Sequence, residues 1–164
     1  MNTEEQMDQD GLAAVTILER KLQVLNNTFE QWVKRCAGKS GLSPFSTIEI
    51  HILHRIGRAE SPRRIADLCF ALKVEDTHIV TYAVRKLAKA GLIEGNKSGK
   101  EVYFHTTTEG NDRIAAYAET KRENLGAALR MFQEQDIQLY ALGEQLQVLS
   151  AVYESAARRA ELEE

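Results

Sequence analysis

The sequence predicts a mainly α protein with one small β-hairpin. Three observations carry that expectation. Apolar residues recur at helical 3,4-type spacing through most of the chain. Only one stretch, around residues 92–107, alternates in the manner of strands, and it is interrupted by the turn cluster GNKSGK at 95–100. Capping residues and glycines stand at the boundaries between the periodic stretches. Within residues 61–108 the predicted order is helix, tight turn, helix, hairpin, which is the order of a winged helix-turn-helix.

Taken in order, residues 1–11 (MNTEEQMDQDG) read as a polar N-terminal tail, with no apolar core of a signal peptide. Residues 12–39 hold the first long helix. Leu12, Val15, Leu18, Leu22, Leu25, Phe29, Trp32, Val33 and Cys36 form its apolar stripe. Gly38 and Gly41 break it, and Pro44 lies in the connection. A capping box, Ser46-x-x-Glu49, opens a support helix over 46–57, with Ile48, Ile50, Ile52, Leu53 and Ile56 apolar and Gly57 at its end.

The motif itself follows. Ser61 reads as an N-cap with Pro62 at the first helical position. Ile65, Leu68, Cys69 and Leu72 give that helix its buried face. Val74 is the expected plug between helices, and Glu75, Asp76 or Thr77 can cap the next one. That second helix runs to about Ala90, with Ile79, Val80, Ala83, Val84 and Leu87 inward and Gly91 as the left-handed stop. Its other face carries Thr77, His78, Thr81, Tyr82, Arg85, Lys86 and Lys89, and no acid after Asp76. Leu92 and Ile93 begin a short strand. Val102, Phe104 and Thr106 form the apolar side of the return strand. Thr106-x-x-Glu109 then reads as the cap of a helix over 109–134, and Asp136 as the cap of the last one.

Charge supports a nucleic-acid reading through its distribution, not its sum. The net charge is −3, yet residues 55–100 carry ten Lys/Arg against five Asp/Glu, a balance of +5. The remaining residues carry eleven against nineteen, a balance of −8. An acidic body with a basic motif docks on a polyanion through one face. The expected base or groove readers are Thr77, His78, Thr81 and Tyr82, in the N-terminal half of the second helix. Arg63, Arg64, Arg85, Lys86 and the hairpin residues Lys97, Ser98 and Lys100 are the expected phosphate contacts.

The run VRKLAKAGLIEGNKSGKEVYFHTTTEG (residues 84–110) resembles the recognition helix and wing of the MarR-type (multiple antibiotic resistance regulator) family. The matching points are Leu87-x-x-x-Gly91-Leu92-Ile93 and Thr107-x-x-Gly110, with long helices on both sides, so the likeness spans roughly residues 12–160. The wing departs from the family pattern. Its tip is GNKSGKE, with lysines only, where family wings carry an Asp-x-Arg tip. The resemblance implies a DNA-binding core at 46–108 within a single domain over 12–164, flanked by dimerisation helices at 12–39 and 109–160. It also implies double-stranded DNA as partner, a cytoplasmic homodimer on a palindromic operator, and room for a small-molecule effector between the dimer helices and the motif.

Other functions lack their parts. No apolar run is long enough to span a membrane. There is no phosphate-binding glycine loop and no nucleophile–base spacing, so an enzyme is not expected, nor a cofactor. His51 and His54, three apart on one helix, lack the further ligands of a metal site and are expected at a helix boundary. Cys36 and Cys69 suggest no disulfide framework. Cys36 reads as core, with a redox sensor as the sharper alternative implied by one branch of the family. The competing function class is a winged-helix dimer that binds a protein or ligand without sequence-specific DNA binding. Repression by promoter occlusion is the simpler mechanism for the DNA-binding reading.

Overall fold

The computed structural model describes residues 3–134 and 138–162. Its elements are α1 (Thr3–Lys39), α2 (Thr47–Gly57), α3 (Ile65–Leu72), α4 (Thr77–Lys89), β1 (Ile93–Ser98), β2 (Glu101–Thr106), α5 (Thr108–Glu134) and α6 (Leu139–Leu162). The chain divides into two compact units between Thr120 and Lys121. The expected cap Asp136 lies outside the described residues.

The first unit holds the core. Four apolar residues of α2 (Ile50, Ile52, Leu53, Ile56) meet Val80, Ala83, Val84 and Leu87 of α4. Leu68 of α3, Leu92, Ile93 of β1 and Tyr117 of α5 close the cluster. From α1 only the C-terminal end enters it, through Val33, Cys36 and Ala37. Farther back, Leu12, Val15, Leu25 and Phe29 of α1 are exposed although they belong to its apolar stripe, and so is Val24 beside them. In the second unit, α6 buries none of its residues, and Tyr140, Val148 and Val152 are among those exposed.

Local chemistry explains the boundaries. The capping box opens α2 as expected: the Ser46 backbone N–H donates to Glu49 Oε2 at 2.8 Å, and Ser46 Oγ accepts from the Glu49 N–H. Asp76 is the cap of α4, its Oδ1 accepting from the His78 N–H at 2.8 Å. Lys73 sits in the left-handed region at φ 53 and turns the chain between α3 and α4, with Val74 packed on the core. Gly91, at φ 72, ends α4 as the sequence suggested.

Five expectations are corrected. Ser61 does not cap α3. Pro62 leads instead into an extended Arg63, which exchanges two backbone hydrogen bonds with Phe104 (2.9 and 2.8 Å) as a third short edge of the wing. That bridge satisfies groups an earlier helix start would leave to solvent. The helix begins at Ile65, where the Asp67 carboxylate accepts from the Arg64 N–H. Next, Ile79 is exposed rather than inward. It stands beside Val80, which faces the core, so the buried stripe of α4 is narrower than its apolar sequence. Third, the hairpin turn is only Gly99–Lys100. Gly99 adopts φ 62, so the two-residue turn closes tightly and Gly95–Ser98 continue the strand, with Ser98 opposite Glu101. Fourth, Thr107 replaces Thr106 as the cap of α5. Its Oγ accepts from the Gly110 N–H and donates to the Gly91 carbonyl at 2.6 Å, tying the end of α4 to the start of α5. Finally, α1 starts at Thr3, not at residue 12, because the good helix formers of the N-terminal stretch outweigh the ~1 kcal/mol cost of Gly11.

Candidate nucleic-acid interface

The four helix residues singled out as readers lie on one outward side of α4. Thr77 and His78 are exposed, Thr81 is half-buried, and the Tyr82 ring is 68% exposed. Helix α4 is held from the opposite side by Val80, Ala83, Val84 and Leu87, each nearly or fully buried. The outer face is therefore presented by a rigid element. With no carboxylate on Thr77–Lys89, nothing on this helix repels a polyanion. His78 and Tyr82 also line a shallow groove with Ile79 and Ala83 and with Ser46, Ile48 and Glu49 from the N-terminal turn of α2. Ile79 is the residue that the helical periodicity misassigned. Its exposure depends on where α2 and α3 pack, and no local pattern encodes that.

The predicted cations divide into two groups. Arg85 of α4 and Lys97 and Lys100 of the hairpin are exposed and make no ion pair among the described residues. Ser98 is exposed at the end of β1, next to the turn. Their charge is available to phosphates.

Lys86 and Arg64 are engaged by the protein instead. The Lys86 ammonium donates to Glu49 Oε2 and to the Pro44 carbonyl, both at 2.8 Å, and stands 5.3 Å from the centre of the Phe45 ring. Lys86, an expected phosphate contact, is thus held in an intramolecular pair. Its role is to fasten α4 to the N-terminal turn of α2. Arg64 grips Asp67 twice, Nη2 to Oδ1 at 2.9 Å and Nε to Oδ2 at 3.2 Å. The side-chain hydrogen bond from Arg64 holds the Asp67 carboxyl below its ordinary range, helped by the Arg64 backbone N–H and by the Arg63 charge. The same bond raises the Arg64 guanidinium. Half-buried Arg63, whose backbone is bridged to the wing strand, makes no ion pair among the described residues.

The histidines and thiols sit where the sequence put them. His51 stacks on Phe29 at 5.8 Å, and His54 packs on Tyr117 at 4.6 Å, both between helices. Among the described residues no group of three or more His, Cys, Asp or Glu is arranged to hold a metal. Cys36 is 1% exposed and belongs to the core, and Cys36 and Cys69 are not joined in a disulfide. Burial pushes the Tyr117 hydroxyl up to about 12, with a smaller contribution from Cys36. No helix among the described residues is long and apolar enough to cross a membrane.

Comparison with known proteins agrees with this geometry. A family model described as a winged helix DNA-binding domain matches residues 45–110. No curated protein matches the sequence. Among solved structures, FabT of Streptococcus pneumoniae in complex with DNA is similar at 21% identity, with 87% of this chain and 99% of that one covered and a TM-score of 0.63. Reduced AbfR bound to DNA is similar at 15% identity, with 88% and 98% covered and a TM-score of 0.70. MarR is similar at 18% identity, with 82% and 97% covered and a TM-score of 0.63. Residues 45–110 thus match a winged helix DNA-binding domain, and the chain as a whole shares its fold with MarR.

Proposed function

We propose that this protein is a cytoplasmic, non-catalytic transcription regulator that binds a short palindromic operator as a homodimer. The observation that carries the reading is the acid-free outer face of α4, rigidly backed by the core and accompanied by the cations Arg85, Lys97 and Lys100, which form no ion pair among the described residues. Thr77, His78, Thr81 and Tyr82 read base edges and nearby backbone. Arg63, Arg85, Lys97, Ser98 and Lys100 position the domain on phosphates.

The dimer rests on exposed apolar side chains. Leu12, Val24, Leu25 and Phe29 on α1, and Val148 and Val152 on α6, lie open in the single chain. A second copy covering them across a two-fold axis removes that surface from water. It also sets two recognition helices about one DNA turn, ~34 Å, apart. An effector acting on the dimer helices would change that spacing and release the operator. Occlusion of a promoter is the simplest output.

The test is fluorescence anisotropy of purified protein on DNA from its own upstream region, across a salt series with excess competitor. Saturable, competitor-resistant binding with a steep negative dependence on salt is expected. Binding to every duplex with equal strength, abolished by competitor, would defeat the operator reading. Sedimentation at the same concentrations should give twice the chain mass, and a monomer would defeat the dimer.

A further inference from the structure

We propose that Ile79 is a specificity-determining residue, reading a thymine through contact with its C5-methyl group. The inference rests on the operator-binding reading above and refines it to a base. The other branched aliphatic side chains of α4, Val80, Val84 and Leu87, are all buried. Ile79 is 47% exposed, in the second residue pair of the helix, next to His78 and one turn before Tyr82. These three side chains line one groove with Ser46, Ile48, Ala83 and Glu49, whose nearly buried carboxylate is neutralised by Lys86.

An isoleucine has no hydrogen-bonding group, so it makes no contact with phosphate and no polar contact with a base edge. In the major groove the apolar feature available to it is the methyl group of thymine. The neighbours suit that task. His78 and Tyr82 each present a polar tip, and the helix carries no acid that would repel the DNA backbone from Ile79. The N-terminal half of such a helix is also the part that reaches base edges. The occupant is therefore a T·A pair in each half-site, facing Ile79 with its methyl.

The experiment replaces thymine by uracil, which removes the methyl and leaves every hydrogen-bonding group in place. A duplex selected from randomised DNA by the full-length protein serves as operator. Each thymine is changed to uracil in turn, and affinity is measured for wild type, Ile79→Ala and Tyr82→Phe. One position per half-site should lose about fourfold in wild type on loss of one methyl contact. In Ile79→Ala that position should lose its uracil sensitivity, while Tyr82→Phe should keep it. A selected operator whose thymines all tolerate uracil within twofold overturns the inference and leaves the regulator intact. So does uracil sensitivity that persists unchanged in Ile79→Ala. Recovery of no preferred sequence by wild type overturns the operator reading and this inference with it. The uracil scan of wild type needs no variant, and Ile79 is exposed, so a folding defect does not confound the result.

Discussion

The Lys86 ammonium stands 2.8 Å from Oε2 of Glu49, a carboxylate whose side chain is only 4% exposed and which also caps the N-terminal turn of α2. One oxygen thus serves a helix cap and an inter-helix ion pair. The pair joins residues far apart in sequence and locks α4 to its support, α2.

This relationship separates two kinds of lysine. Lys86→Met should leave the Glu49 carboxylate buried without its cation and destabilise the fold by about 1–3 kcal/mol, the lower figures reflecting the partial exposure of Lys86. Urea unfolding measures that loss. The salt dependence of operator binding should keep its slope in Lys86→Met. Lys97→Ala and Lys100→Ala should each flatten the slope by about 0.9 with little change in stability. A flattened slope in Lys86→Met would return that residue to the phosphate backbone.

The Arg64–Asp67 grip predicts an acid-dependent contribution. The folded-state carboxyl of Asp67 lies below its usual value, because Arg64 bonds its ionised form. Its contribution is fully present above the unfolded value near 3.8 and declines as pH falls through the lower folded value. The stability gap between wild type and Asp67→Asn should hold constant from pH 7 to about 5 and narrow on further acidification. A gap that widens toward acid would contradict the assignment.

Tyr117 predicts the opposite limb. Burial raises its hydroxyl from 10 to about 12. The unfolded chain ionises this phenol first, so folding stability should fall as pH rises from 10 toward 12. Absorbance titration at the tyrosinate band should show one late-ionising phenol in wild type, missing in Tyr117→Phe.

Gly110 predicts a steric result. A Cβ at this position would collide with the main-chain carbonyl of Leu92, which cannot rotate away as a side chain does. Gly110→Ala should cost about 1–3 kcal/mol and lower Tm, whereas Gly126→Ala, where a Cβ meets nothing, should be neutral or stabilising. Equal Tm values for the two variants would refute the close approach at Leu92.

Much of this molecule was legible because its signals are local. Ser46 and Glu49 name a helix start, Asp76 and Gly91 bracket the recognition helix, and the alternation through Phe104 marks a strand. Each of these depends on residues within a few positions of one another, where backbone sterics and short-range hydrogen bonds decide the outcome. The errors came where long-range packing outweighed a local preference. Ser61-Pro62 has the form of a helix start, but the Arg63 backbone pairs with Phe104 from the wing.

By itself, then, the sequence determined the order of the elements, the winged helix core and the concentration of positive charge on the motif. The tertiary structure alone decided which charges remain available. Lys86 and Lys97 are the same residue type on neighbouring elements, yet one is spent on Glu49 and the other is exposed on the hairpin. It decided likewise that Ile79 faces outward while Val80 beside it is buried. Periodicity defines a helix's apolar face, but how much of that face is covered depends on the width of the partner packed against it.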